Sequence, residues 1–198
     1  SPKKNEKIIF IWPEGIIPGI SQDQIKEYKW LFENKFNENH LLAIGINSIE
    51  NGKQTIKYFN SFTIYDHKLN IINSYKKIKL VPFGEFLPFE NTLNKFGLKK
   101  ITEGHGSFLK GKQDNNLIFE KFNILPLICY EIIFPNLIQK SDIDTNLIVN
   151  ISEDGWFGNT IGPHQHFAKG IFRAIEQNTF LIRSANKGIS AIINNKGE

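Results

Sequence analysis

Three residues of types that carry acid–base and nucleophilic chemistry lie just past apolar strands or in the loops after them. They are Glu14 behind Ile8-Ile9-Phe10-Ile11-Trp12-Pro13, Lys77 within Lys76-Lys77-Ile78-Lys79, and Cys129 behind Leu125-Pro126-Leu127-Ile128. Open α/β sheets place their chemistry at such strand ends. Cys129 is the single cysteine of the chain, so no intrachain disulfide and no CxxC-type site can form. Its thiol is either an inert core group or a reagent. Each residue also has a plain reading. Free cysteine is among the most buried residue types, a glutamate after Trp-Pro suits a turn, and a lysine in a basic run suits a solvated surface. Glu131 weighs toward chemistry, because a purely apolar core would not place a carboxylate two residues from the thiol.

The elements that must position these residues follow from apolar periodicity. The run from Lys7 to Trp12 is short, β-branched and aromatic, and Pro13 stops it, as expected of a buried strand. Ile25, Tyr28, Leu31, Phe32 and Phe36 recur at helical spacing, which predicts a helix capped by Ser21 or Asp23. Residues 41–47, 56–65 and Ile71-Ile72 read as two or three strands with a turn at Asn51-Gly52. From Tyr75 to Gly111 the periodicity is lost, and a long loop carries Phe83, Phe86, Leu87, Phe89, Phe96 and Leu98. Leu117-Ile118-Phe119 and the run from Phe122 to Tyr130 predict a strand pair ending at the cysteine. A short helix or turn over 132–140, a strand at 146–151, a helix over 164–178 and strands at 179–184 and 189–193 complete an α/β pattern.

Composition excludes several classes. With 40% hydrophobic residues, 15 Gly and 8 Pro in 198 positions, the chain is neither collagen-like nor disordered. A single domain spanning residues 1–198 can bury roughly 70% of its unfolded surface without a staple. The net charge of +4 comes from scattered lysines with acidic residues interleaved, so it reads as a solvated surface and no nucleic-acid partner is expected. Five histidines and one cysteine fall into no recognised metal-ligand spacing. No stretch reaches the roughly 18 apolar residues of a membrane span. The absence of methionine, position 1 included, suggests a piece of a longer polypeptide.

Taken together, Trp12-Pro13-Glu14, the run from Tyr75 to Phe86 and Ile128-Cys129-Tyr130-Glu131 resemble, in order, the Glu, Lys and Cys motifs of the nitrilase (carbon–nitrogen hydrolase) superfamily. A finer resemblance is to one branch, the bacterial apolipoprotein N-acyltransferases. It is carried by Val81-Pro82-Phe83-Gly84-Glu85-Phe86-Leu87-Pro88, Cys129-Tyr130-Glu131, Asp154-Gly155-Trp156-Phe157-Gly158, Gly162-Pro163-His164-Gln165-His166-Phe167 and the run from Arg183 to Ser190. The resemblance implies a nitrilase-like αββα four-layer sandwich, incomplete at both ends in this chain. It further implies flanking membrane segments and a place at the bacterial inner membrane, facing the periplasm.

The same resemblance assigns roles. Cys129 would be the nucleophile, Glu14 its base, and Lys77 with a backbone N–H near Cys129 the oxyanion stabiliser. Lys76 could not substitute if adjacent side chains leave opposite faces of the strand. Glu85, Tyr130 and Glu131 match supporting positions, with Glu85 and Glu131 expected to orient Lys77. Trp12, Phe83, Phe86, Trp156 and Phe157 are candidates for substrate contact, with core packing as the alternative. A phospholipid would donate the acyl group and an apolipoprotein would accept it, with no metal or organic cofactor. Two rival readings are a soluble amidase of the same superfamily and a catalytically dead sheet domain. A depressed thiol pKa and fast alkylation are expected of an active site, and slow alkylation of a dead one.

Overall fold

Along each long strand the side chains alternate between two destinations, and those destinations define the layers. The computed structural model describes residues 6–52, 55–89, 107–112, 116–138 and 145–198. Among them β1 (Ile8–Ile11), β2 (His40–Asn51), β3 (Ile56–Tyr65) and β4 (Ile71–Lys76) form a four-stranded sheet in that order. β1 pairs parallel to β2, and β3 is antiparallel to both β2 and β4. β5 (Leu117–Phe119), β6 (Phe122–Ile128), β7 (Leu147–Glu153), β8 (Phe180–Asn186) and β9 (Ala191–Ile193) form a five-stranded sheet. Its centre, β6-β7-β8, is parallel, and its edges are antiparallel.

Ala43, Phe62, Ile64 and Tyr75 of the first sheet meet Ile124, Ile128, Val149 and Ile151 of the second in a core between the sheets. The alternate residues Leu42, Ile44 and Ile46 face outward and are covered by Ile25 and Phe32. These come from a 3-10 turn (Gln24–Tyr28) and the short helix α1 (Lys29–Glu33). On the far side Leu125, Leu127, Ile148 and Leu181 pack against Ile132, Ile138 and Ala174. Those belong to a 3-10 turn (Cys129–Ile133), α2 (Pro135–Ile138) and α3 (Gly162–Glu176). The result is a four-layer αββα sandwich.

The elements depart from the sequence pattern in a few places. The helix expected from Ser21 to Phe36 is only a 3-10 turn followed by one turn of α-helix. Asp23 makes no side-chain cap, whereas Ser21 receives the Ile25 N–H on its carbonyl at 3.0 Å and gives its own N–H to Gln24 Oε1 at 3.0 Å, as a residue at a helix start does. β4 runs through Lys76 because Tyr75 pairs with Phe62 and turns into the inter-sheet core, so the aperiodic segment starts later than Tyr75. Phe96 and Leu98 of that segment, and residues 139–140 of the helix expected over 132–140, lie outside the described residues. α3 begins ahead of His164, with Pro163 in the first turn where a missing N–H costs nothing. It buries His166, Gly170, Arg173 and Ala174, whereas Phe172 and Ile175 face solvent.

Candidate active site

β1 and β4 are the two outer strands of the first sheet, yet the residues that follow them meet. Gly45 makes the meeting possible. On the inner face of β2 an added Cβ would stand 2.6 Å from Glu14 Cα and 2.7 Å from the Pro13 carbonyl oxygen. The missing side chain lets the segment after β1 lie against β2. Glu14 then receives the Asn60 amide on Oε1 at 2.6 Å, and on Oε2 the Glu153 N–H from the end of β7 at 2.9 Å. The Lys77 ammonium, 1% exposed, is 3.4 Å from Glu14 Oε1 and 3.0 Å from Glu85 Oε1. Asn60 completes the cluster by donating to Glu85 Oε1 at 2.7 Å and accepting the Lys77 N–H on its carbonyl at 2.8 Å.

An ammonium this buried persists only when paired. Burial alone pulls Lys77 down, but the negative charges facing it, Glu14 foremost, outweigh burial and hold it well above the ordinary lysine value. Lys76 leaves the other face of β4, pairs with Glu50 and sits 4.3 Å above the Phe59 ring. The two lysines are therefore not interchangeable.

Cys129 opens the 3-10 turn at the end of β6 with φ of +51°. That left-handed conformation costs a residue with a side chain about 1–2 kcal/mol, so the surroundings must impose it. Glu131 is one constraint. Its fully buried carboxylate accepts the Ile128 N–H on Oε2 at 2.8 Å and the Ile78 and Lys79 N–H groups on Oε1 at 2.7 and 2.9 Å. Tyr75 donates its hydroxyl to both oxygens. One carboxylate thus clamps the chain leaving β6 to the chain leaving β4. Burial pushes it above the usual carboxylate range, and the N–H donors oppose that rise.

Burial, then the charge of Glu14, pushes the Cys129 thiol up to about 12, against the pull of Lys77 and of the Ser152 hydroxyl. The direction is opposite to the depressed value expected from sequence. The resting group is a neutral thiol with the Glu14 carboxylate beside it, so any attack by it must be accompanied by deprotonation. A cavity of about 930 Å³ opens over Glu14, Lys77, Glu85 and Cys129. Its walls are mostly apolar and include Ile17, Ile20, Ile46, Ile133, Trp156 and Phe157. Its size is near the upper end for small-molecule sites.

The family model described as carbon-nitrogen hydrolase matches residues 2–198. The chain belongs to that family. A curated apolipoprotein N-acyltransferase of Rhizobium leguminosarum bv. trifolii (strain WSM2304) is 41% identical over 192 residues, covering 96% of this chain and 36% of the relative. One from Rhizobium etli (strain CIAT 652) is 38% identical with the same coverage. The chain spans about a third of the length of these relatives. Among solved structures, Saccharomyces cerevisiae Nit3, a member of branch 10 of the nitrilase superfamily, is similar with a TM-score of 0.63 at 17% identity. That likeness covers 96% of this chain and 69% of the other, and it supports the fold.

In this carbon–nitrogen hydrolase domain the remaining candidates divide. Glu85 binds Lys77 directly, whereas Glu131 bonds to the backbone beyond Lys77 and not to its ammonium. Tyr130 lines the cavity and packs edge-on against Phe134. Trp156 and Phe157 line it as well. Trp12, Phe83 and Phe86 are not among its lining residues. Trp12 packs 5.9 Å from the Phe32 ring in the outer helical layer, and Phe83 with Phe86 closes a turn through a 2.8 Å backbone bond. Asn60 was not singled out by sequence, although a lone amide inside Tyr58-Phe59-Asn60-Ser61-Phe62 was its signal. His166, Asp154 and Arg183 lay within motifs without an assigned part; they form a buried network against the Cys129 backbone.

Proposed function

We propose that this chain is the catalytic domain of a longer membrane enzyme, an apolipoprotein N-acyltransferase of the bacterial inner membrane facing the periplasm. The observation that carries the reading is the meeting of a thiol, a carboxylate and a buried ammonium beside one largely apolar cavity of about 930 Å³. The names of the relatives, 38% and 41% identical across 96% of this chain, supply the class of acyl transfer.

In the first half-reaction Cys129 Sγ attacks the ester carbonyl carbon of a phospholipid as its proton passes to Glu14. The oxyanion forms beside the Lys77 ammonium and a backbone N–H near Cys129, each donor of this kind being worth about 3–4 kcal/mol. The C–O ester bond then breaks, and Glu14 returns the proton to the departing lysophospholipid alkoxide. In the second half the α-amine of a diacylglyceryl-modified N-terminal cysteine attacks the thioester, giving its proton to Glu14. The C–S bond breaks, and the thiol is restored. The raised thiol value suits this cycle, because a neutral thiol is regenerated at its end. Phe83 and Phe89, 47% and 84% exposed on the loop beside the site, are apolar surface that supports approach to a bilayer.

The test is transfer of an acyl chain from phospholipid vesicles to a synthetic diacylglyceryl lipopeptide by the full-length protein. Transfer is expected and is abolished by Cys129→Ala. Hydrolysis of small amides without lipopeptide acylation would assign the domain to the amidases instead.

A further inference from the structure

His166, on the second turn of α3, touches neither Glu14 nor Lys77, yet its ring ends on the nucleophile. Nε2 lies 3.2 Å from the Cys129 carbonyl oxygen, in a pocket where His166 is 5% exposed. A carbonyl oxygen only accepts, so Nε2 carries the proton in this contact. Nδ1 lies 2.9 Å from Asp154 Oδ1 and 3.1 Å from Arg183 Nη2. One of these partners accepts and the other donates, so Nδ1 is satisfied with or without a proton. The donation to Cys129 does not depend on its state.

The ring is held in place from behind. Arg183 Nη2 donates to both oxygens of Asp154, at 3.0 and 2.8 Å, and Ser152 donates to Oδ1 at 2.7 Å. Arg183 also bonds to Asn150, whose amide donates to the Leu127 carbonyl at 3.0 Å, in the strand that delivers Cys129. A Cβ at position 188 would stand 2.2 Å from Asp154 Oδ2, so Gly188 is required for the carboxylate to sit there. The network therefore starts on β6 ahead of the nucleophile, crosses β7 and β8, and returns through α3 to the nucleophile's own carbonyl.

We propose that His166 is a positioning residue whose Nε2–H fixes the peptide plane after Cys129 and thereby holds the thiol and the Tyr130 N–H in attack geometry. In a trans peptide the C=O and the following N–H point in opposite directions. A donor locked onto the Cys129 carbonyl therefore also sets the direction of the Tyr130 amide, an early amide of the 3-10 turn without a partner inside it. The left-handed φ of Cys129 is a conformation that neighbouring structure must impose, and this bond is one that does so. The inference rests on Cys129 being the nucleophile.

The test compares His166→Gln with His166→Asn in the full-length protein. The amide nitrogen of Gln reaches the place of Nε2, whereas that of Asn reaches only the place of Nδ1. Acylation of Cys129 by p-nitrophenyl butyrate gives a p-nitrophenol burst, and steady-state turnover gives kcat and KM. His166→Asn is expected to lower burst rate and kcat about 10- to 100-fold with KM within about threefold, as for a small misplacement of a reacting group. His166→Gln is expected to recover most of that loss, with thermal midpoints alike in the two variants. Equal rates in Gln and Asn, or losses that follow the thermal midpoint alone, overturn the proposal. A burst that survives Cys129→Ala overturns the nucleophile assignment itself, and this inference with it.

Discussion

Lys77 Nζ stands 3.4 Å from Glu14 Oε1, and both side chains are tied down by other bonds. Glu14 has one oxygen on Asn60 and the other on the Glu153 N–H, so as the proposed base it is already in place to take a proton. Lys77 keeps its charge because carboxylates flank it. The carboxylate and the ammonium thus sit in one fixed arrangement, drawn from residues 63 positions apart.

Replacing Glu14 with Gln separates the two effects of its charge. Acyl transfer is expected to fall about a hundredfold to ten-thousandfold with the loss of the base. The thiol moves the other way. After burial, the Glu14 charge is the largest influence raising Cys129, so Glu14→Gln lowers the thiol pKa. Iodoacetamide alkylation at pH 8 is then faster in the variant than in the parent protein. Slower alkylation in a folded variant would argue against this account of the thiol.

Lys77→Met removes the cation from a buried cluster and leaves Glu14 and Glu85 facing each other through Asn60. Breaking a buried pair in this way costs about 3–5 kcal/mol. Chemical denaturation should show that loss, and Glu85→Gln in the Lys77→Met background should restore part of it, because neighbouring charges do not act additively. An unchanged midpoint in Lys77→Met would contradict the pairing.

Gly45→Ala places a methyl group against the Glu14 backbone and 2.8 Å from Ile151 Cδ1. Overpacking of this kind costs about 1–3 kcal/mol. Since the displaced backbone carries the proposed base, Glu14, kcat is expected to fall by more than tenfold even below the unfolding transition. Turnover and thermal melts on the same preparation check both parts.

Acid stability reports on Asp154. Burial pushes its carboxyl up, but the bonds from His166, Ser152 and Arg183 outweigh burial and hold it at about 2, against 3.8 for a free side chain. A depressed carboxyl stabilises the folded state above the unfolded value, and the contribution is lost as pH falls through the folded value. The parent protein should lose stability between about pH 4 and pH 2. Asp154→Asn should be less stable at pH 7 and flatter across that window. Equal slopes would show that Asp154 is not held by the network.

Much of this arrangement was legible because strand periodicity survives in sequence. Leu42, Ile44 and Ile46 alternate with Ala43 and Gly45, and that alternation is the layer structure itself. Glu14, Lys77 and Cys129 stand beyond apolar runs, but it is the resemblance of their flanking motifs to the Glu, Lys and Cys motifs of the superfamily that singles them out. Contacts between the ends of different elements were not legible, since no local pattern records them. Glu153 reaches Glu14 across 139 residues and Tyr75 reaches Glu131 across 56. The direction of the thiol shift was missed for the same reason. The sequence shows that a lysine and a glutamate exist, but not that burial and the carboxylate together outweigh the ammonium. Trp12 takes the core-packing alternative, against Phe32 in the outer layer, because a residue beside Pro13-Glu14 does not reveal in sequence which face of the sheet it leaves.

In the proposed mechanism Cys129 carries an acyl group taken from a phospholipid. Intact-mass spectrometry of the full-length protein, incubated with phospholipid vesicles and no acceptor, tests it most directly. A hydroxylamine-labile gain of one fatty acyl chain, absent in Cys129→Ser, is expected. A folded protein that gains no such mass, or gains it equally in Cys129→Ser, would contradict it.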